Sequence, residues 1–306
     1  MDGASELTDK VADRSRTGLW ADLAVLSVAL VWGASYPIAK GALAQAPVLV
    51  LIFYRFITTA AVMATVARRD LARSSGGDWA AGLTLGAILF SIFLTETWGI
   101  ALTTATNAAL IISLCTVFTP FLEYGLRGQL PLLGVILGAG TAVSGVVVLA
   151  GGMTALGAGD LFILGAAVLR AVMVVSTKRL MAGRALSSAA LTTQQSLMVS
   201  GLALAVLLSQ NGLSKLLVDA GFGFWGAVGF LSLFCTIGAF YIQNAAVRRT
   251  TPTRVSLLMG TEPLFGVALA WLLLSEPATA TTLVGAGLIV GGTLWAVVVE
   301  RRHGQC

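Results

Sequence analysis

Histidine occurs once in this sequence, at His303, and cysteine three times, at Cys115, Cys235 and Cys306. So few ligands, two of the thiols inside apolar runs and the third at the last position, exclude a disulfide framework or a metal centre of the usual spacings. There is no Gly-x-Ser-x-Gly elbow, no His-Glu-x-x-His and no Walker A sequence. A hydrolase, a zinc protease or an ATP-driven pump would lack its defining residues, and no cofactor is expected. Charge is scarce as well. Asp, Glu, Lys and Arg make up 11% of the 306 residues, against roughly a quarter of an ordinary soluble domain.

What remains is apolar. Hydrophobic residues make up 57% of the chain and the mean hydropathy is +0.90. A soluble fold of this size has too little interior to hide that surface, so lipid must solvate much of it. The 35 glycines would weaken soluble helices but suit membrane helices that pack closely. The net charge of +5 sits in short clusters between apolar runs, a pattern that sets topology and makes no nucleic-acid face. Residues 1–18 are polar and mixed in charge, with no apolar stretch ending in a cleavage site, and read as an unstructured cytoplasmic tail.

About 20 apolar residues are needed to cross the hydrocarbon core. Runs of that kind fall at 19–39, 47–67, 79–98, 105–124, 131–151, 159–180, 189–210, 223–246, 254–274 and 279–299, predicting ten transmembrane helices. With the amino terminus in the cytoplasm, 15 basic residues fall in cytoplasmic segments and only Lys40 and Lys215 on the other side. A miscounted helix would invert every later loop and erase that bias, which therefore supports both the count and two cytoplasmic termini in the inner membrane. Residues 300–306 form the second cytoplasmic tail.

The chain also resembles itself. A shift of 147 aligns 103–145 with 250–292 without a gap and matches 12 of 43 positions, including Thr103/Thr250, Gly138/Gly285, Gly140/Gly287 and Gly145/Gly292. A shift of 138 matches Asp22-Leu23 to Asp160-Leu161 and Lys40 to Lys178. Two five-helix units, 19–153 and 158–299, are the natural division. An odd helix number makes the second unit enter the membrane upside down, so the fold class is all-α, two inverted repeats. Gly134-xxx-Gly138 and Gly287-xxx-Gly291 give small-residue faces suited to joining the repeats or building a dimer.

Ionisable groups inside spans are costly and mark a cavity or a partner. Arg55, Glu96, Arg170 and Glu262 are such groups. They either pair among themselves or contact a substrate's ammonium or carboxylate, and the sequence leaves both open. Glu96 and Gln243 are equivalent under the shift of 147, and Gln195 matches Arg55 under a shift of 140. Trp32 and Tyr36 share a face of the first helix beside Pro37, which is expected to kink it. These eight residues form the predicted substrate pathway. Trp20, Trp79, Trp98, Phe222, Phe224, Trp225, Trp271 and Trp295 lie near span ends and read as interfacial anchors.

Val31-Trp32-Gly33-Ala34-Ser35-Tyr36-Pro37-Ile38-Ala39-Lys40, Tyr54-Arg55-Phe56, Thr261-Glu262-Pro263 and Ser275-Glu276-Pro277 followed by Gly285-Ala286-Gly287 resemble, in order and spacing, the EamA branch of the drug/metabolite transporter superfamily. The likeness covers 19–299. The first repeat departs from it, with Cys115-Thr116 and Gln129 where the second has Glu262-Pro263 and Glu276. The resemblance implies a secondary transporter exporting small metabolites, in a family that includes YddG-type exporters of aromatic amino acids. It implies a small-molecule substrate and the lipid bilayer as partners, with protons or an exchange substrate as possible coupling partners and a monomer or homodimer as the unit. Cationic drugs, nucleosides and sugar phosphates remain alternative substrates, the last wanting more basic groups than Arg55 and Arg170. A channel or a non-transporting membrane protein is the remaining alternative.

Overall fold

The computed structural model describes residues 2–152, 156–210, 213–217, 220–239, 242 and 258–304. Among the described residues the chain is helical, with no strand: α1 (Asp2–Leu43), α2 (Val48–Arg73), α3 (Gly76–Leu102), α4 (Ala105–Ile112), α5 (Cys115–Gly125), α6 (Leu133–Ala150), α7 (Ala158–Leu180), α8 (Ser188–Ser209), α9 (Phe222–Gly229), α10 (Glu262–Leu274) and α11 (Ala280–Gly304). The π-helical stretch Phe230–Gly238 continues α9 directly.

Among the described residues eight segments are long and apolar enough to cross a membrane: Asp22–Leu43, Val48–Arg73, Gly76–Leu102, Ala105–Gly125, Leu133–Ala150, Ala158–Leu180, Ser188–Ser209 and Ala280–Glu300. The fourth joins α4 and α5 across Ser113-Leu114. These answer to predicted runs one to seven and ten. The predicted eighth and ninth runs appear as shorter apolar helices, Phe222–Gly238 and Glu262–Leu274. At its amino end α1 departs from the expected unstructured tail, because its helical backbone begins at Asp2. That stretch has no proline and carries Glu6, Leu7, Lys10, Ala12 and Arg14, residues that cost little in a helix. Nor does Pro37 end α1, which runs on to Leu43.

Local chemistry sets the corners. Ser75 and Asp78 form a reciprocal capping box at the start of α3, and Thr104 Oγ1 accepts from the Asn107 amide to start α4. Gly151 ends α6 in the left-handed region, φ 83°. Two ion pairs tie the loops at one end: Arg184 Nη1 to Asp78 Oδ1 at 3.0 Å, and Lys178 Nζ to Glu123 Oε1 at 2.7 Å. Arg68, Arg69, Arg73, Arg127 and Arg179 belong to this same basic end, whereas the opposite end holds Lys40.

Helices pack across the repeats in symmetric combinations. α6 lies on α11 and α2 on α8; α1 lies on α10 as α7 lies on α5; α3 meets α7 as α1 meets α9 and its π-helical extension. Exchanging the two repeats maps this set of pairs onto itself, as a pseudo-twofold axis requires. Glycines make the closest seam. A Cβ on Gly138 would stand 2.7 Å from the Gly292 carbonyl oxygen, and one on Gly145 would stand 2.8 Å from that of Gly285. The shift of 147 exchanges these two contacts. The seam that joins the repeats therefore uses Gly285 and Gly292; Gly287 and Gly291 face away, with nothing within 4 Å of an added Cβ. The expected Gly287-xxx-Gly291 face is on the wrong side of α11, since two residues along a helix turn the side chain by roughly 200°.

Candidate substrate site

At the centre of the bundle α1, α4 and α10 come together on glycine. A Cβ on Gly33 would lie 2.7 Å from the Gly266 amide nitrogen, and one on Gly266 would lie 2.5 Å from the Ala109 Cβ. This approach brings buried Tyr36 to Glu262, the first residue of α10, and its hydroxyl donates to Glu262 Oε1 at 2.9 Å. At 13 residues α10 rises about 20 Å, less than the hydrocarbon thickness. Its N-terminus, where the helix dipole favours an anion, follows the turn at Gly260-Thr261 and carries a carboxylate.

The other ionisable residues split unequally. Arg170 of α7 donates through Nη2 to both oxygens of Glu96 of α3, at 3.0 and 2.8 Å. The Glu96 side chain is only 6% exposed, so this pair is largely removed from solvent. Arg55 of α2 has no such partner: among the described residues no carboxylate lies within salt-bridge distance, its Nε is buried without an acceptor, and its one hydrogen bond is a 3.4 Å contact to Thr236 Oγ1. Its guanidinium instead lies over aromatic faces, 4.6 Å from the Phe93 ring centre and 5.6 Å from that of Phe56. Glu262 likewise bonds a phenol and, among the described residues, has no cation within salt-bridge distance.

Arg55 and Glu96 line one crevice with Ser35, Ala39, Phe93 and Thr97. Its free volume is about 10 Å³, room for a single water. The pathway is therefore closed around its charges. A wider cavity of about 150 Å³ lies near the basic end between α5 and α7, lined by Thr119, Glu123, Arg127, Val174, Val175, Lys178 and Arg179.

The structure thus gathers Tyr36, Arg55, Glu96, Arg170 and Glu262. Trp32 of α1 donates its indole N–H to the Cys235 carbonyl, in the π-helical stretch, at 2.7 Å. Gln195 lies instead at the α3–α8 contact, where its backbone sits 3.1 Å from a Cβ on Gly86; the neighbouring Gln194 is the fully buried one, against Gly82. Gln243 lies outside the described residues. Phe224, expected as an anchor, is fully buried against Tyr54 and Trp225, because it faces inward from its span end; Trp20, Trp98, Phe222, Trp225, Trp271 and Trp295 are exposed. Phe93 and Thr236 carried no sequence signal, since only the fold brings them to Arg55.

Long apolar helices, a duplicated unit paired about a pseudo-twofold axis and charges set within the spans mark a multi-pass membrane protein. The EamA-like transporter family matches residues 19–151 and again 157–298. The chain belongs to the EamA-like transporter family, within the drug/metabolite transporter superfamily. It is 31% identical over 106 residues to an uncharacterized transporter of Archaeoglobus fulgidus, a match spanning 35% of this chain and about a third of that relative's length, 32%. A crystal structure of another protein shares the fold at a TM-score of 0.65, with 20% identity over 92% of this chain and 98% of that one.

Proposed function

We propose that the protein is a ten-span secondary transporter of two inverted repeats that exports zwitterionic metabolites, aromatic amino acids foremost, across the inner membrane with both termini cytoplasmic. The observation that carries this reading is the charge balance at the centre. Glu96 and Arg170 pair with each other, leaving Arg55 and Glu262 as a half-buried guanidinium and a half-buried carboxyl without ion-pair partners among the described residues. An amino acid supplies the two missing charges, its carboxylate to Arg55 and its ammonium to Glu262. Phe93 and Phe56 beside Arg55 offer faces for an aromatic side chain. The two shorter apolar helices complete the ten spans, and 15 basic residues against two orient them. A single chain pairs its own repeats, so the monomer is the transporting unit.

Uptake into proteoliposomes of phenylalanine, of 3-phenylpropionate and of phenethylamine tests the assignment. Each charge-assisted contact contributes about 1.5–3 kcal/mol. Arg55→Gln should therefore weaken uptake of the carboxylate-bearing compounds by about 10- to 100-fold, and Glu262→Gln that of the ammonium-bearing ones. If no amino acid moves through the wild-type protein, the assignment is lost. Imposing a pH gradient across the same vesicles, with and without internal amino acid, separates proton antiport from exchange.

A further inference from the structure

The corner between α3 and α4, at the end remote from the basic clusters, is held by three charged side chains from elsewhere in the chain. Lys40, in the last turn of α1, donates to the carbonyls of Ile100, at 3.0 Å, and Thr103. Asp160 of α7 accepts at Oδ1 from Thr103 Oγ1 at 2.5 Å and Asn107 Nδ2 at 3.0 Å, and at Oδ2 from the Gly157 amide at 3.1 Å. Glu276, between α10 and α11, accepts at its two oxygens from the amides of Ala105, 2.8 Å, and Thr106, 2.9 Å. Ser275 adopts the left-handed region, φ 54°, uncommon for a side chain with a Cβ, in the turn that delivers this carboxylate. The ammonium thus caps the carbonyl end of α3 and the carboxylate caps the amide end of α4, each matching the helix dipole it meets.

Three observations tie this cluster to access and distinguish it from ordinary loop packing. Ala39, next to Lys40, and Ile100, one of its acceptors, both line the Arg55–Glu96 crevice. The clamp joins repeats: Lys40 and the α3–α4 corner come from the first, Asp160 and Glu276 from the second. At Glu276 it also departs from the repeat, since the shift of 147 relates Glu276 to Gln129, which is exposed and carries no charge.

We propose that Lys40, Asp160 and Glu276 form a gate latch at the end opposite the basic clusters, which must release for the crevice to open to that side and whose charged cap makes closure there the resting state. The proposal rests on the reading of the chain as a secondary transporter, whose two inverted repeats open the site to one side and then the other, and its test separates the two. Ala39→Cys is introduced into a Cys115→Ala/Cys235→Ala/Cys306→Ala background, and the protein is reconstituted and labelled with a membrane-impermeant maleimide applied from each side. Glu276→Gln removes the charge from both hydrogen bonds and leaves one oxygen to accept, so labelling from the latch side should quicken at least about tenfold. Asp160→Asn should act in the same direction, Glu276→Asp should partly restore the slow rate, and Gln129→Ala should leave it unchanged.

An unchanged rate in a Glu276→Gln protein that melts normally overturns the latch. If that variant does not fold, Thr103→Val, which removes one of the three donors to Asp160, replaces it under the same criterion. Faster labelling in a protein that carries no amino acid overturns the substrate assignment and supports the latch; unchanged labelling with intact flux does the reverse.

Discussion

Glu96→Gln is expected to cost the fold about 3–5 kcal/mol, and Arg170→Gln a similar amount, because each leaves the other's charge buried and unpaired. The pair spans α3 and α7, one helix from each repeat, and the Glu96 carboxylate receives both of its hydrogen bonds from a single Arg170 nitrogen. Nothing else among the described residues bonds that carboxylate. The double variant should recover part of the loss, since no unpaired charge then remains, although glutamine is too short to span the distance that arginine does. The check is a double-mutant cycle on thermal unfolding in detergent. Losses that simply add would show that the two residues act apart. Flux in the double variant carries further information. A pair that only holds α3 to α7 permits transport to return with stability. A pair that contacts the substrate leaves a folded protein without flux.

This outcome bears on how much of the site was legible in the sequence. Hydropathy marks a charge within a span wherever it falls, so Arg55, Glu96, Arg170 and Glu262 were all visible. Which of them meet depends on helix rotation and on the order in which helices neighbour one another, and neither is written in local pattern. One residue along a helix turns the side chain by about 100°, which is the whole difference between Gln194, sealed against Gly82, and Gln195, whose side chain has no such place. The same limit explains Phe224, placed correctly along its span but on the wrong face. Lys40, Asp160 and Glu276 were visible as motif residues or repeat matches but not as a cluster, because the corner they hold is assembled from four separate stretches of chain. Segments such as Val48–Arg73 and Ser188–Ser209 were readable because span length is fixed by the bilayer and not by tertiary contacts.

The glycine seam between α6 and α11 gives the second large effect, and a test of the symmetry itself. Glycine here is required by distance, not by backbone conformation. The Cβ of any other residue would meet backbone atoms at 2.7 Å from Gly138, 2.8 Å from Gly145, 2.9 Å from Gly285 and 2.6 Å from Gly292. Backbone cannot swing aside as a side-chain tip can, so the helices must separate along their length. Gly145→Leu should therefore destabilise by at least the about 1–3 kcal/mol typical of overpacked cores, and it should reduce folded yield from membranes. Gly140→Ala and Gly287→Ala, with open space around them, should be near neutral. If the two repeats are related by a twofold axis, the alanine variants at Gly138 and Gly285 should cost alike, and so should those at Gly145 and Gly292. Thermal unfolding of the four single variants reads this directly. Matched costs are hard to obtain from helices that merely happen to touch, because each contact would then relax in its own way. Unmatched costs would mean that only the backbone path, and not the packing, preserves the duplication.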